Sequence, residues 1–91
     1  MVKTVLVVDD EYLIRWSLRE GMKDLFNVLT AGTVAEAQKI LRDSPVDAVV
    51  TDLRMPGRDG LELVEQLRAV SPAVKVFVIT AFGSDPVIDR L

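Results

Sequence analysis

Short apolar runs that end in acidic residues constrain this chain more than any other feature. Val5-Leu6-Val7-Val8 leads into Asp9 and Asp10, and Ala48-Val49-Val50-Thr51 leads into Asp52. A third run, Val76-Phe77-Val78-Ile79, ends in Thr80-Ala81. Runs of this length, separated by helical stretches, predict parallel strands. In an open parallel α/β sheet, ligands bind beyond the carboxyl ends of the strands, where the strand order reverses. The carboxylates of Asp9, Asp10 and Asp52 and the Thr80 hydroxyl would then meet at one place. Two unit charges ~4 Å apart at an effective dielectric near 20 repel by roughly 4 kcal/mol. A cation is expected among them.

A length of 91 residues fits one domain, spanning 1–91. The composition, 49% apolar and 27% charged, is that of a globular chain rather than a disordered one. A net charge of −3 argues against direct binding of nucleic acid or an anionic membrane by this segment. Cysteine is absent, which removes disulfides and thiolate chemistry, and histidine is absent, which removes the usual general base. Met1-Val2-Lys3-Thr4 leads into too short an apolar run for a signal peptide, and no run approaches transmembrane length. The expected location is the cytoplasm.

The first strand is expected over about Thr4 to Val8, followed by a helix whose buried stripe is Leu13, Ile14, Leu18, Met22 and Leu25. Phe26 to Thr30 reads as the second strand. Thr33 and Glu36 have the spacing of a capping box, and the helix after them runs to about Arg42, burying Ala37, Ile40 and Leu41. Ser44-Pro45 stops it. The third strand is Ala48 to Thr51, and Leu53 to Asp59 is a loop carrying Pro56 and Gly57. The third helix begins near Gly60, with Leu61, Val64 and Leu67 inward, and ends at Ser71-Pro72. The fourth strand spans Val74 to Thr80, and Ser84-Asp85-Pro86 opens a fourth helix. This alternation predicts an α/β fold: a doubly wound parallel sheet with helices on both faces. The purely apolar fourth run suits a strand with a neighbour on each side, so a further βα unit is expected beyond it.

Hard oxygen donors around a small site suit Mg²⁺ or Mn²⁺, which accept carboxylates, waters and phosphate oxygens. With such an ion, an aspartate can act as a nucleophile toward phosphorus. Each residue alone has a plainer reading. Asp9-Asp10 could cap the first helix, Asp52 could sit in a turn, and Thr80 could merely end a strand.

Together the residues resemble something specific. Asp9-Asp10-Glu11 resembles the acidic pair of response-regulator receiver domains in two-component signalling. Asp52-Leu53-Arg54-Met55-Pro56-Gly57-Arg58-Asp59-Gly60 resembles their phosphoacceptor loop, Asp-x-x-Met-Pro-x-x-x-Gly. Thr80-Ala81 is similar to their switch hydroxyl and the small residue after it, and the match runs from residue 3 to the end. The resemblance implies a flavodoxin-like receiver fold with strand order 2-1-3-4 and the fifth βα unit missing. It implies that Asp52 accepts a phosphoryl group from a histidine kinase or phosphotransfer protein. Asp10 and Asp52 would ligate Mg²⁺ directly, Asp9 through water, and Arg54 by its backbone carbonyl. Thr80 and the Ala81 N–H would contact the phosphoryl group, and Thr80 would turn inward on activation.

One departure bears on this. The family's strand-five lysine and aromatic switch residue lie beyond Leu91, and Lys75 is at the wrong end of its strand to replace the lysine. The chain is therefore expected to hold metal but to accept phosphate poorly or to switch improperly. Ile14-Arg15-Trp16-x-Leu18, with Thr80-Ala81-Phe82, resembles receivers of nitrogen-regulator-type transcription activators. Those activators place an ATPase domain and a helix-turn-helix domain after the receiver, which implies a transcriptional output; a homodimer is expected as well. Trp16 falls opposite Ile14 and Leu18, either as a surface side chain or as an anchor for the phosphodonor.

Two rival readings carry their own tests. An interaction module that dimerises without phosphate would ignore a phosphoryl mimic. A phosphohydrolase with an aspartate nucleophile would place a second aspartate where Glu11 stands, and would turn over phosphate esters. The expected function is a signalling switch rather than an enzyme acting on an outside substrate.

Overall fold

In the computed structural model, which describes residues 2–52, 54–55, 58–70 and 73–79, the apolar runs are strands and the periodic stretches are helices. The order is β1 (Thr4–Val8), α1 (Tyr12–Met22), β2 (Asn27–Ala31), α2 (Val34–Asp43) and β3 (Ala48–Asp52). There follow β4 (Arg54–Met55), β5 (Arg58–Asp59), α3 (Gly60–Val70) and β6 (Lys75–Ile79). The main sheet is parallel, in the order β2-β1-β3-β6. With the four long strands counted alone, this is the expected 2-1-3-4 order. The segment expected as an open loop instead holds a small antiparallel ladder, in which Arg54 pairs with Asp59 and Met55 with Arg58.

β1 lies inside the sheet and is its most buried strand, with Leu6, Val7 and Val8 wholly shielded. A strand covered on both faces needs apolar side chains at consecutive positions, which this sequence supplies. The register sets Leu6 beside Leu29 and Val49, and Val49 beside Val76. Leu6, Val8 and Val49 form the main core with Ala31, Val34, Ala37 and Leu67, so the layer of α2 and α3 covers this face. α2 starts as a capping residue predicts: Thr33 Oγ1 accepts the Glu36 N–H at 3.1 Å. The Glu36 carboxylate does not complete the box as expected. It accepts the Thr33 hydroxyl instead, at 3.4 Å.

The opposite face is covered less fully. α1 packs over β2 and β1 but has no fully buried residue. Leu13 and Leu25, expected in its buried stripe, are 71% and 72% exposed, while Ile14, Leu18 and Met22 are partly buried. Beside α1 an open apolar groove of about 590 Å³ runs past Val5, Met22, Phe26, Val50, Val74 and Phe77. Helical spacing identifies an apolar stripe, but the breadth of the layer facing it decides how much of that stripe is covered. Ser71-Pro72, Thr80-Ala81 and the expected fourth helix lie outside the described residues.

Candidate metal centre

The strand order gives the site its place. From β1 the chain goes to β2 on one side, and β3 then forms on the other, so the reversal falls between β1 and β3. Their register pairs Val8 with Thr51. One residue further on, Asp9 is level with Asp52. Asp10 follows at the mouth of the crevice, where α1 has yet to begin. One carboxylate oxygen from each of Asp9, Asp10 and Asp52 lies within 4.8 Å of the others. The sequence expectation that these three converge is met. Asp9 and Asp52 are 3% and 4% exposed, and Asp10 faces solvent.

Asp9 is held at three points. Its N–H donates to the Ala31 carbonyl at 3.1 Å, continuing the β1–β2 ladder by one rung. Its Oδ1 accepts the Glu11 N–H at 2.8 Å, and its carbonyl accepts Arg15 Nη1 at 2.7 Å. The Asp9 carboxylate does not cap α1: the N-cap is Glu11, without a side-chain cap, and Asp9 binds the N–H of that residue. On the β3 side, the Thr51 hydroxyl donates to the Asp52 carbonyl at 3.1 Å within the sheet.

Burial raises the Asp9 carboxyl above the ordinary carboxylate range; the Glu11 N–H opposes this, and the charges of Asp52, Asp10 and Glu11 add to it. The protein thus holds a carboxylate where it is poorly solvated and among like charges. A divalent cation would reverse both penalties. Oxygens bound at 2.0–2.1 Å to one Mg²⁺ lie at most about 4.2 Å apart. A cluster spanning 4.8 Å needs only small side-chain movements, or one ligand reaching through water. The donor set fits Mg²⁺ and, with the same hard oxygens, Mn²⁺.

Arg54 stands just beyond Asp52, in the first position of β4. Thr80, Ala81, Pro56 and Gly57 fall outside the described residues. Trp16 is 51% exposed, with Tyr12 and Leu13 also exposed on α1. Arg15 neighbours Trp16 on α1, and an arginine there would ordinarily extend into solvent. Its guanidinium instead turns back onto the Asp9 carbonyl and lies 5.7 Å from the Tyr12 ring centroid. No sequence signal marks this contact; in the structure a Cβ at Gly32 would come within 3.1 Å of that guanidinium.

The sequence matches the response regulator receiver domain family over residues 5–91. It is 38% identical over 79 residues to the hydrogenase transcriptional regulatory protein HoxA of Cupriavidus necator, covering 87% of this chain but 16% of that protein. It is 31% identical over 84 residues to sporulation initiation phosphotransferase F of Bacillus subtilis, covering 91% of this chain and 68% of that protein. Among solved structures, it resembles a chain in the crystal structure of the histidine kinase ThkA in complex with the response regulator TrrA. The TM-score there is 0.81 at 35% identity, over 92% of this chain and 76% of that one. Transcriptional regulators among the relatives agree with the likeness drawn from Ile14-Arg15-Trp16 to nitrogen-regulator-type activators.

Proposed function

The chain belongs to the response regulator receiver domain family, and from that premise we propose that it is a phosphorylation-controlled switch with Asp52 as its phosphoacceptor. The observation that carries this is the convergence of Asp9, Asp10 and Asp52 at the β1–β3 reversal, with Asp52 buried at a strand end. The donor is a histidine kinase or phosphotransfer protein carrying a phosphohistidine. An Asp52 carboxylate oxygen attacks phosphorus, the new P–O bond forms, and the P–N bond to the imidazole breaks. The imidazole leaves and takes up a proton.

Asp10 and Asp52 would hold Mg²⁺ directly, Asp9 through water, and the Arg54 carbonyl would complete the protein's share. When bound, the ion neutralises the carboxylates and the phosphoryl oxygens, which phosphoryl transfer requires far more than covalent help. Asp9 keeps its carboxylate aimed by accepting the Glu11 N–H. The sheet around Asp52 shields its carboxylate from bulk water, leaving the residue 4% exposed. Thr80 and the Ala81 N–H would hydrogen-bond the phosphoryl oxygens, and the inward turn of Thr80 would change the surface after β6. This is a local charge event biasing a two-state element. The output is transcriptional, the compartment cytoplasmic, and the signalling form a homodimer.

Incubation with phosphoramidate and Mg²⁺, followed by intact-mass measurement, tests the reading. A single phosphoryl adduct should accumulate, slowly, on the wild-type chain and not on Asp52→Asn. Equal adduct on both, or none on either at saturating Mg²⁺, overturns it.

A second reading has one observation behind it. β6 is an edge of the described sheet and its Phe77 is 55% exposed, so a second copy could pack there without phosphate. Sedimentation with and without beryllofluoride and Mg²⁺ separates the two. Under this reading the dimer is indifferent to the mimic; under the first it responds.

A further inference from the structure

We propose that Arg15 is the positioning residue of the acidic centre: by holding the Asp9 carbonyl it fixes the backbone that aims the Asp9 and Asp10 carboxylates, and Gly32 is the residue that admits its guanidinium. The proposal rests on the reading that these carboxylates hold a divalent cation.

β2 leaves the sheet after Ala31, so the β1 ladder reaches its last rung at the Asp9 N–H. The Asp9 carbonyl lies just past that rung and receives a charged side chain from α1, at a short 2.7 Å. The peptide plane between Asp9 and Asp10 is pinned by this bond. The next plane, between Asp10 and Glu11, is pinned by the Glu11 N–H on Asp9 Oδ1 at 2.8 Å. Peptide units are rigid planes, so fixing both neighbours of a Cα fixes the direction of its Cα–Cβ bond. Asp10 is exposed and gets little guidance from packing. These two hydrogen bonds set the direction in which its side chain leaves the backbone, on the side where its carboxylate meets those of Asp9 and Asp52.

One further contact and one open space accommodate the guanidinium there. The Tyr12 ring lies one helical turn back, with its centroid 5.7 Å from Cζ. The open space is at Gly32, where an added Cβ would sit 3.1 Å from Arg15 Nη1 and 3.5 Å from Cζ. The Gly32 backbone is outside the left-handed region, so alanine could adopt its conformation. What a side chain there would violate is the space that the guanidinium fills. Outer partners that orient metal ligands typically change metal affinity by about 10–100-fold when removed.

The test compares Mg²⁺ affinity by calorimetry with melting temperature in EDTA for the wild type, Arg15→Met, Arg15→Lys, Gly32→Ala and the Gly32→Ala/Arg15→Met double variant. Arg15→Met keeps the stem but loses the donor, and should weaken Mg²⁺ binding about tenfold. Arg15→Lys retains a donor and should recover part of the loss. Gly32→Ala should weaken binding alone yet add nothing in the Arg15→Met background, because both act through one contact. If Arg15→Met lowers only the melting temperature and leaves Mg²⁺ affinity within about twofold, far below the usual effect of an outer partner, Arg15 is an ordinary stabilising contact and the proposal falls. Additive effects of Gly32→Ala remove Gly32 from it. Should Arg15→Met not fold, Arg15→Lys and Gly32→Ala carry the same comparison. Asp52→Asn is the control for the premise. If the wild type binds no Mg²⁺, or Asp52→Asn binds it equally well, the metal reading fails and the Arg15 proposal with it.

Discussion

Asp9 sits where burial and like charge act on the same carboxyl group, and both penalise its ionised form. Its folded-state pKa lies above the unfolded value, so between the two the folded chain binds more protons than the unfolded one. Stability in the absence of divalent cations should therefore fall as pH rises through that window, from about pH 4 upward. Asp9→Asn removes the charge and keeps an acceptor for the Glu11 N–H. Two unit charges 4.8 Å apart at an effective dielectric near 20 repel by about 3.5 kcal/mol, and the exposure of Asp10 and the weaker acceptor reduce the net gain well below that. The variant should gain about 1 kcal/mol over wild type at pH 7 in EDTA, roughly 4–8 °C for a domain of this size. The gain should vanish near pH 3, where the wild-type carboxyl is neutral too. Melting curves across pH in EDTA check both statements, and a wild type more stable than Asp9→Asn at pH 7 would contradict them. The chemistry at this scale was legible because strand-end aspartates are few and their residue type is unambiguous. The Arg15 contact was hidden because an arginine on a helix normally points to water, and only the fold sets the Asp9 carbonyl, just past the last rung of β1, within its reach.

At the scale of elements, the two faces of the sheet should respond differently to the same change. Leu6 is fully buried beneath α2 and α3, and Leu6→Ala should cost about 2–5 kcal/mol. Leu13 and Leu25 sit at helical spacing in the α1 region yet stand mostly in solvent, so Leu13→Ala should stay within about 0.5 kcal/mol. Chemical denaturation of the two variants decides it. Comparable losses would mean that α1 packs more tightly than its exposure indicates. The strands and helices themselves were legible because apolar runs and helical periods differ in kind, and β1, α2 and β3 fall within a residue or so of their expected bounds. The β4–β5 ladder was not. Each of its strands has two residues, too short for any period to show, and Pro56-Gly57 between them reads as a turn in either case. Thr33→Ala tests a cap that was legible. It removes the acceptor for the Glu36 N–H and should cost about 1 kcal/mol.

Across the whole molecule, one topological fact ties stability to ligand. The chain crosses from the β2 side to the β3 side of β1, so three carboxylates from two strands share one crevice and a cation bound there joins both halves of the sheet. An unfolded chain holds Asp9 and Asp52 on distant segments and has no such site. Divalent cation should therefore stabilise the fold by mass action, about 2.7 kcal/mol at a hundred times the dissociation constant. Because the sheet is the shared scaffold, the gain should appear as a single cooperative shift in the melting transition. Asp52→Asn should fold and melt without that shift, since it keeps the strand but loses a ligand charge. Asp9→Asn should start higher in EDTA and gain less from Mg²⁺, so that the two proteins converge as Mg²⁺ rises. Scanning calorimetry over a Mg²⁺ titration measures all three curves. A wild-type transition that ignores Mg²⁺ would separate the acidic cluster from cation binding, and parallel gains in all three proteins would place the bound ion elsewhere on the acidic surface.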